Sequence, residues 1–272
     1  MTLRLRQTLS CLALSFFLLS NFPPAIAQEQ EDYRILREIV INEFKNESAS
    51  SEGVNQSGVL QRFATKERKV AVILGACLDQ GADFDNALFK SFQDKQVPVS
   101  LFVDQGWLKK NSDKLKNILG TKNFLLESHG LNCRPLSVSG KGVKSHPGTA
   151  GVDEVFEEVE RNAREIETVS GRLPRFYKSG YDYYDDVALK IVSVLGYVAI
   201  QGDLKLRASD VESDASLAKF LEKLQPGSII LIPANRPGSA ESWAPKLLSG
   251  VSRSGFQVVA LDDVVNVDEE SH

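Results

Sequence analysis

The chain has 272 residues, of which 25% are charged, and a formal net charge of −4. With no lysine and arginine stripe, that mildly acidic balance argues against a nucleic-acid-binding protein. Beyond the N-terminal segment, no run approaches the roughly 18 consecutive apolar residues of a membrane helix, and a chain of this length accommodates one large α/β domain or two small ones.

The first residues, MTLRLRQTLSCLALSFFLLSNFPPAIA, carry Arg4 and Arg6, an apolar run from Leu9 to Leu19, and then Ala25-Ile26-Ala27. This is the pattern of a cleavable signal peptide over residues 1–27, too short to span a bilayer, and it predicts export to the periplasm or the extracellular space. Loss of its two arginines takes the formal charge from −4 to −6. Residues 28–67 read as an N-terminal helix and linker. Tyr33, Ile35, Leu36, Ile39, Val40 and Phe44 fall on one face of a helix over 31–45, and NESASSEGVNQSG, residues 46–58, has linker composition.

From Lys69 onward, short apolar runs alternate with segments of helical period. Strands are expected at 70–74, 97–103, 123–126, 175–177, 197–200, 228–232 and 256–261, and helices at 85–94, 105–119, 153–170, 185–195, 214–224 and 241–254. The clearest helix is Asp153–Ser170, where Val155, Phe156, Val159, Ala163, Ile166 and Val169 form one stripe and Gly171 supplies the stop. Seven strands alternating with helices predict a parallel α/β domain over 68–268, either a barrel or a doubly wound sheet. Chemistry then belongs at the C-terminal strand ends.

Polar residues follow four of those ends: GACLDQG from Gly75, ESHGLNC from Glu127, FYKSGYDYYDD from Phe176 and PANRPG from Pro233. Such convergence is what a (β/α) site requires, because each strand delivers one or two side chains to a common mouth. Only Cys77 and Cys133 lie outside the N-terminal segment, and two thiols in an exported protein invite a single disulfide.

The order of an apolar strand and Asp79, then SHGLNCRPLSVSGK, then a long helix ending in GRLPRFYKSGYDYYDD, then PGSIILIPANRP, resembles the NodB-type polysaccharide deacetylases of carbohydrate esterase family 4. The resemblance runs from Lys69 to Asp263 and is closest to a branch with an HGLN-x-(Lys/Arg)-Pro motif. It implies a single distorted (β/α)7 barrel, zinc or another divalent metal as cofactor, and an acetylated polysaccharide or peptidoglycan as partner. In that family one Asp acts as base toward the attacking water, a second Asp and two His hold the metal, and a late-strand His is the acid. The metal polarises the acetyl carbonyl and acidifies water.

Carried over position by position, Asp79 falls at the base and Gln80 where the second Asp would stand. His129 matches the first histidine and Cys133 replaces the second. Lys178 takes the place of an arginine that pairs with the catalytic carboxylate, keeping its charge without its fork. Pro233 lies where the acid histidine belongs. Asp79 and Lys178 are therefore the catalytic candidates, and His129 and Cys133 the metal ligands. Of Tyr177, Tyr181, Tyr183 and Tyr184 after the fourth strand, two are expected in the core and the others, with Tyr177, Tyr181 and Tyr183 the candidates, offer faces for sugar rings; Asp203, past the fifth strand, either touches substrate or sits in a surface turn.

Cys133 has three open readings: a zinc ligand beside Asp79 and His129, a disulfide partner of Cys77, or a buried thiol. Asp79 could equally cap the next helix. His146 in KSHPGT is either a substitute ligand or acid, or a solvated loop residue. Two functions follow: an exported glycan deacetylase with a rearranged metal site, or a pseudo-deacetylase that retains the barrel and binds glycan.

Overall fold

A computed structural model describes residues 24–81, 83–143, 145–234 and 240–265. The expected signal peptide lies outside these but for its last four residues, which begin the first helix. Contacts divide the chain into a unit ending at Ile39 and a unit beginning at Val40. Helix α1 (Pro24–Phe44) supplies the described part of the first, and there Arg34 bonds Glu31 and Glu38 across single turns. No helix among the described residues is long and apolar enough to cross a membrane.

The second unit runs β1 (Glu52–Val54), β2 (Lys69–Ala76), α2 (Asn86–Asp94), β3 (Val99–Val103), α3 (Gln105–Lys110), α4 (Ser112–Leu119), β4 (Phe124–Ser128), α5 (Gly151–Ser170), β5 (Phe176–Tyr177), β6 (Tyr183–Asp185), α6 (Asp186–Val194), β7 (Val198–Ala199), β8 (Leu204–Lys205), α7 (Asp214–Leu221), β9 (Ile229–Pro233), α8 (Ala240–Arg253) and β10 (Gln257–Val259). Each of the seven expected strands is present. The helix expected over 105–119 is two, because Asn111 leaves helical geometry and turns its amide onto the Trp107 carbonyl.

One curled sheet holds the strands in the order β7-β5-β4-β3-β2-β9-β8, with β10 beside the start of β2, and every pairing is parallel. The two ends of that order are joined by only residues 200–203, so β7, on β5, and β8, on β9, curl the sheet back onto one stretch of chain. This is the distorted barrel that the resemblance implies.

Period-two alternation explains why β2 reads as an unbroken apolar run. Val70, Val72, Leu74 and Ala76 pack outward beneath the helices, in a core shared with Phe89, Trp107 and Leu247. Ala71 and Ile73 point inward, against Phe102, Phe176, Ile229 and Leu231. A parallel strand covered on both faces has no polar side to show.

The segment read as a linker departs from that reading. β1 pairs antiparallel with β6. Farther on, Leu60 bridges Ile200, and the Phe63 amide donates to the Gly227 carbonyl at 3.0 Å. Leu60 and Phe63 are buried in the inner core. Composition hid β1, because a polar stretch attaches there through main-chain hydrogen bonds.

Candidate active site

Register places the site. Ala76, Val103, Ser128 and Tyr177 are successive partners across β2, β3, β4 and β5. The residues that follow them, Cys77, Asp104, His129 and Lys178, therefore leave four neighbouring strands at one level of the mouth.

Cys77 and Cys133 form a disulfide with their Cα atoms 5.9 Å apart. Helix α5 shapes the loop that carries Cys133. The Glu158 carboxylate accepts from the Asn132 and Arg134 amides, at 3.0 Å each, and the Glu158 carbonyl accepts from Leu131 at 2.8 Å. Burial holds the Glu158 carboxyl above its ordinary pKa against those bonds. Gly130 has φ +85°, and a Cβ there would stand 2.4 Å from Glu158 Oε1. One turn further, Asn162 donates to the Val103 carbonyl at 2.8 Å and to Ser128 Oγ at 3.0 Å. The most regular helix in the sequence thus carries two buried polar residues that fix the His129–Arg134 turn.

His129 Nδ1 lies 3.3 Å from Cys133 Sγ. Burial first, and then the nearby charge of Lys178, push its pKa well below the ordinary value, so the ring is neutral. Lys178 is buried and forms an ion pair with Asp182. Asp104 caps α3 through the Trp107 amide at 2.7 Å and accepts from Leu78 at 2.8 Å, and burial raises its pKa to about 6. Cys133, Tyr181 and Asp182 all hold left-handed backbone at φ 55°, 59° and 59°. Non-glycine residues in that region are uncommon, and here three of them cluster at one mouth.

Above the strand ends lies a cavity of about 530 Å³, within the size range of small-ligand sites. Cys77, Gln80, His129, Lys178, Tyr181 and Asp182 are in its lining, and so are Lys205, Arg207, Pro233 and Trp243. His129, Lys178 and Tyr181 are thus at the cavity, and Cys133 is bonded into its wall. Asp79 sits in an exposed single turn at the rim, where its carboxylate accepts from the Tyr181 hydroxyl at 3.2 Å. Burial and that carboxylate raise the Tyr181 pKa to about 12. His146 stacks on Tyr181 with ring centroids 4.1 Å apart.

Tyr177, Tyr183 and Asp203 are not brought to the cavity. Tyr177 is fully buried with its ring edge-on to Tyr184, and Tyr183 lies in β6, paired with Val54 of β1. Asp203 accepts from Ser228 Oγ at 2.9 Å and the Ile229 amide at 2.7 Å, which ties it to the first residues of β9, at the opposite end from the mouth. Sequence reasoning passed over Lys205, Arg207 and Trp243. A signal existed: Leu206 packs into the outer core, so Lys205 and Arg207 on either side face the cavity. A two-residue strand is too short to reveal that alternation.

The residues do not fit the metal that the resemblance implies. The Cys133 sulfur is shared with Cys77 and is no thiolate. Gln80 offers a neutral amide in an exposed turn, and Pro233 offers nothing. His129 alone remains of that ligand set.

The polysaccharide deacetylase family profile matches residues 65–200. No curated protein matches the sequence. Among solved structures, the fold resembles a family 4 carbohydrate esterase from Bacillus anthracis at TM-score 0.64 and 15% identity, over 81% of this chain and 100% of that one. A family 4 pseudoenzyme from the same organism aligns at TM-score 0.62 and 15% identity, over 78% and 71%. The chitin deacetylase of Colletotrichum lindemuthianum aligns at TM-score 0.61 and 15% identity, over 78% and 93%.

Proposed function

Because the chain belongs to the polysaccharide deacetylase family, we propose that it is an exported glycan-binding protein that keeps the family's cavity and no longer hydrolyses acetyl groups. The Cys77–Cys133 disulfide carries this reading, since it commits the sulfur at the second metal-histidine position to a covalent bond. Three further losses point the same way. Gln80 replaces a carboxylate ligand, Pro233 replaces the proton donor, and Asp79 faces Tyr181. Loss of a general acid alone slows such reactions by about 10²–10⁴-fold. A pseudoenzyme with a similar fold gives this outcome a precedent.

What remains is suited to holding a sugar. The cavity keeps aromatic faces in Tyr181 and Trp243 and polar groups in Gln80, Lys178 and Asp182. The chain's own chemistry there is binding and orientation: the buried Lys178–Asp182 pair presents fixed charge, and neutral His129 offers a ring nitrogen.

One observation favours the alternative of a working hydrolase. The ligand atoms of Cys77, His129 and Cys133 lie within 4.8 Å of one another, and if the disulfide were reduced these three could hold zinc with a fourth position open. Thiol titration of the denatured protein, zinc analysis before and after dithiol treatment, and acetate release from acetylated chito-oligosaccharides separate the two. The binder predicts no reactive thiol at Cys77 or Cys133, no bound zinc, no acetate and measurable glycan affinity. Stoichiometric zinc with acetate release would overturn it.

A further inference from the structure

The cavity's charge runs opposite to that of a metal-holding pocket. Among its described lining residues are three cations, Lys178, Lys205 and Arg207, and one carboxylate, Asp182. That carboxylate is engaged by Lys178, and Asp79, the nearest other acid in sequence to the lining residue Gln80, bonds the Tyr181 hydroxyl. We infer that the cavity selects sugars carrying an anionic group, a carboxylate or a sulfate, over neutral ones. This rests on the glycan-binding reading above and names its ligand class.

The placement of the charges supports it. Lys178 lies buried at the strand ends, whereas Lys205 and Arg207 are exposed. Lys205 ends β8 and Arg207 lies two residues on, and both belong to the lining. A ligand anion would meet the exposed cations on entry, within low-dielectric walls that strengthen the attraction. Arg207 offers a planar fork suited to a carboxylate or sulfate. Tyr181 and Trp243 supply aromatic faces in the same cavity, so ring and anion can be held together, which a bare cationic patch does not do.

Calorimetric titration of the mature protein with an oligogalacturonide, a sulfated oligosaccharide of similar length and neutral N-acetylchitotetraose tests this. At low salt the anionic oligomers are expected to bind at least about tenfold more tightly than the neutral one, the margin expected of one charge-assisted hydrogen bond. That margin should shrink as salt rises. The carboxylate and sulfate arms identify which anion is preferred. Lys205→Gln combined with Arg207→Gln should abolish most of the preference while circular dichroism shows the fold retained, whereas Lys116→Gln, on exposed α4, should leave it intact. Equal affinity for neutral and anionic oligomers, insensitive to salt and to the double variant, would overturn the inference and leave glycan binding standing. Failure of all three to bind would overturn both. Poly-glutamate binding as tightly as the oligogalacturonide would reveal a site for acidic peptides and overturn the sugar assignment.

Discussion

The two walls of the cavity are built on different terms. On the side of β2 and β4, Cys77 and Cys133 are buried and cross-linked with His129 buried beside them, and the polar groups of α5 pin their loop. On the side of β8, Lys205 at the end of that two-residue strand and Arg207 beyond it are exposed and charged. The first wall holds shape and the second presents charge. In this fold, then, a mouth position can be kept for architecture on one side while the other remains open to a ligand.

Substitutions can break that contrast, beginning with the first wall. Cys77→Ser with Cys133→Ser opens a loop of sequence separation 56 and should cost about 4 kcal/mol in urea unfolding, from the entropy returned to the unfolded chain. A loss near zero would mean that the loop holds its shape without the bond. Lys178→Ala leaves Asp182 without its cation in a largely enclosed site and should cost about 3 kcal/mol, read in the same experiment. Glu158→Ala strips the acceptor from the Asn132 and Arg134 amides and should cost about 2 kcal/mol. Hydrogen exchange should accelerate at those two amides before it does so elsewhere.

A smaller effect appears with pH. Asp104 and Glu127 have folded pKa values raised by burial to about 6 and about 7, from ordinary values of 3.8 and 4.5. Between the ordinary and the raised values the native state holds protons that the unfolded chain releases, so stability should rise as pH falls from about 8 to about 5. Asp104→Asn preserves an oxygen for the α3 cap and should flatten that slope; a melting temperature that falls over this range would contradict the assignment. The smallest effect belongs to the second wall, where Arg207→Gln should change stability by no more than about 0.5 kcal/mol.

Much of the fold was legible because both-face burial leaves an uninterrupted apolar run, as in Val70–Leu74 and Ile229–Ile232. Polar strands left no such trace: β1 and β6 pair through main chain, and β8 is two residues long. At the site, His129 and Lys178 were found from their places after strands. The fate of Cys133 was not, since pairing depends on a separation that only the folded register sets. Tyr177 misled because an aromatic after a strand serves core and cleft equally well; here Phe176 faces the inner core and Tyr177 points the other way, fully buried. Asp203 misled because β7 and β8 follow each other in one direction, which puts the residue between them at the foot of β9.

The strap at Leu60 and Phe63 has a practical corollary for where the molecule can be cut. Both side chains fill the barrel interior, and their backbones bridge Ala199 and Gly227 on opposite sides of the seam. The family match starts at residue 65, yet an excised fragment starting there would lack its keystone: two vacated apolar sockets and an unbuttoned edge between the last strand pairs. The smallest autonomous piece is therefore expected to reach upstream of its recognisable homology, and trimming to that homology should lower the melting temperature of an otherwise sound domain.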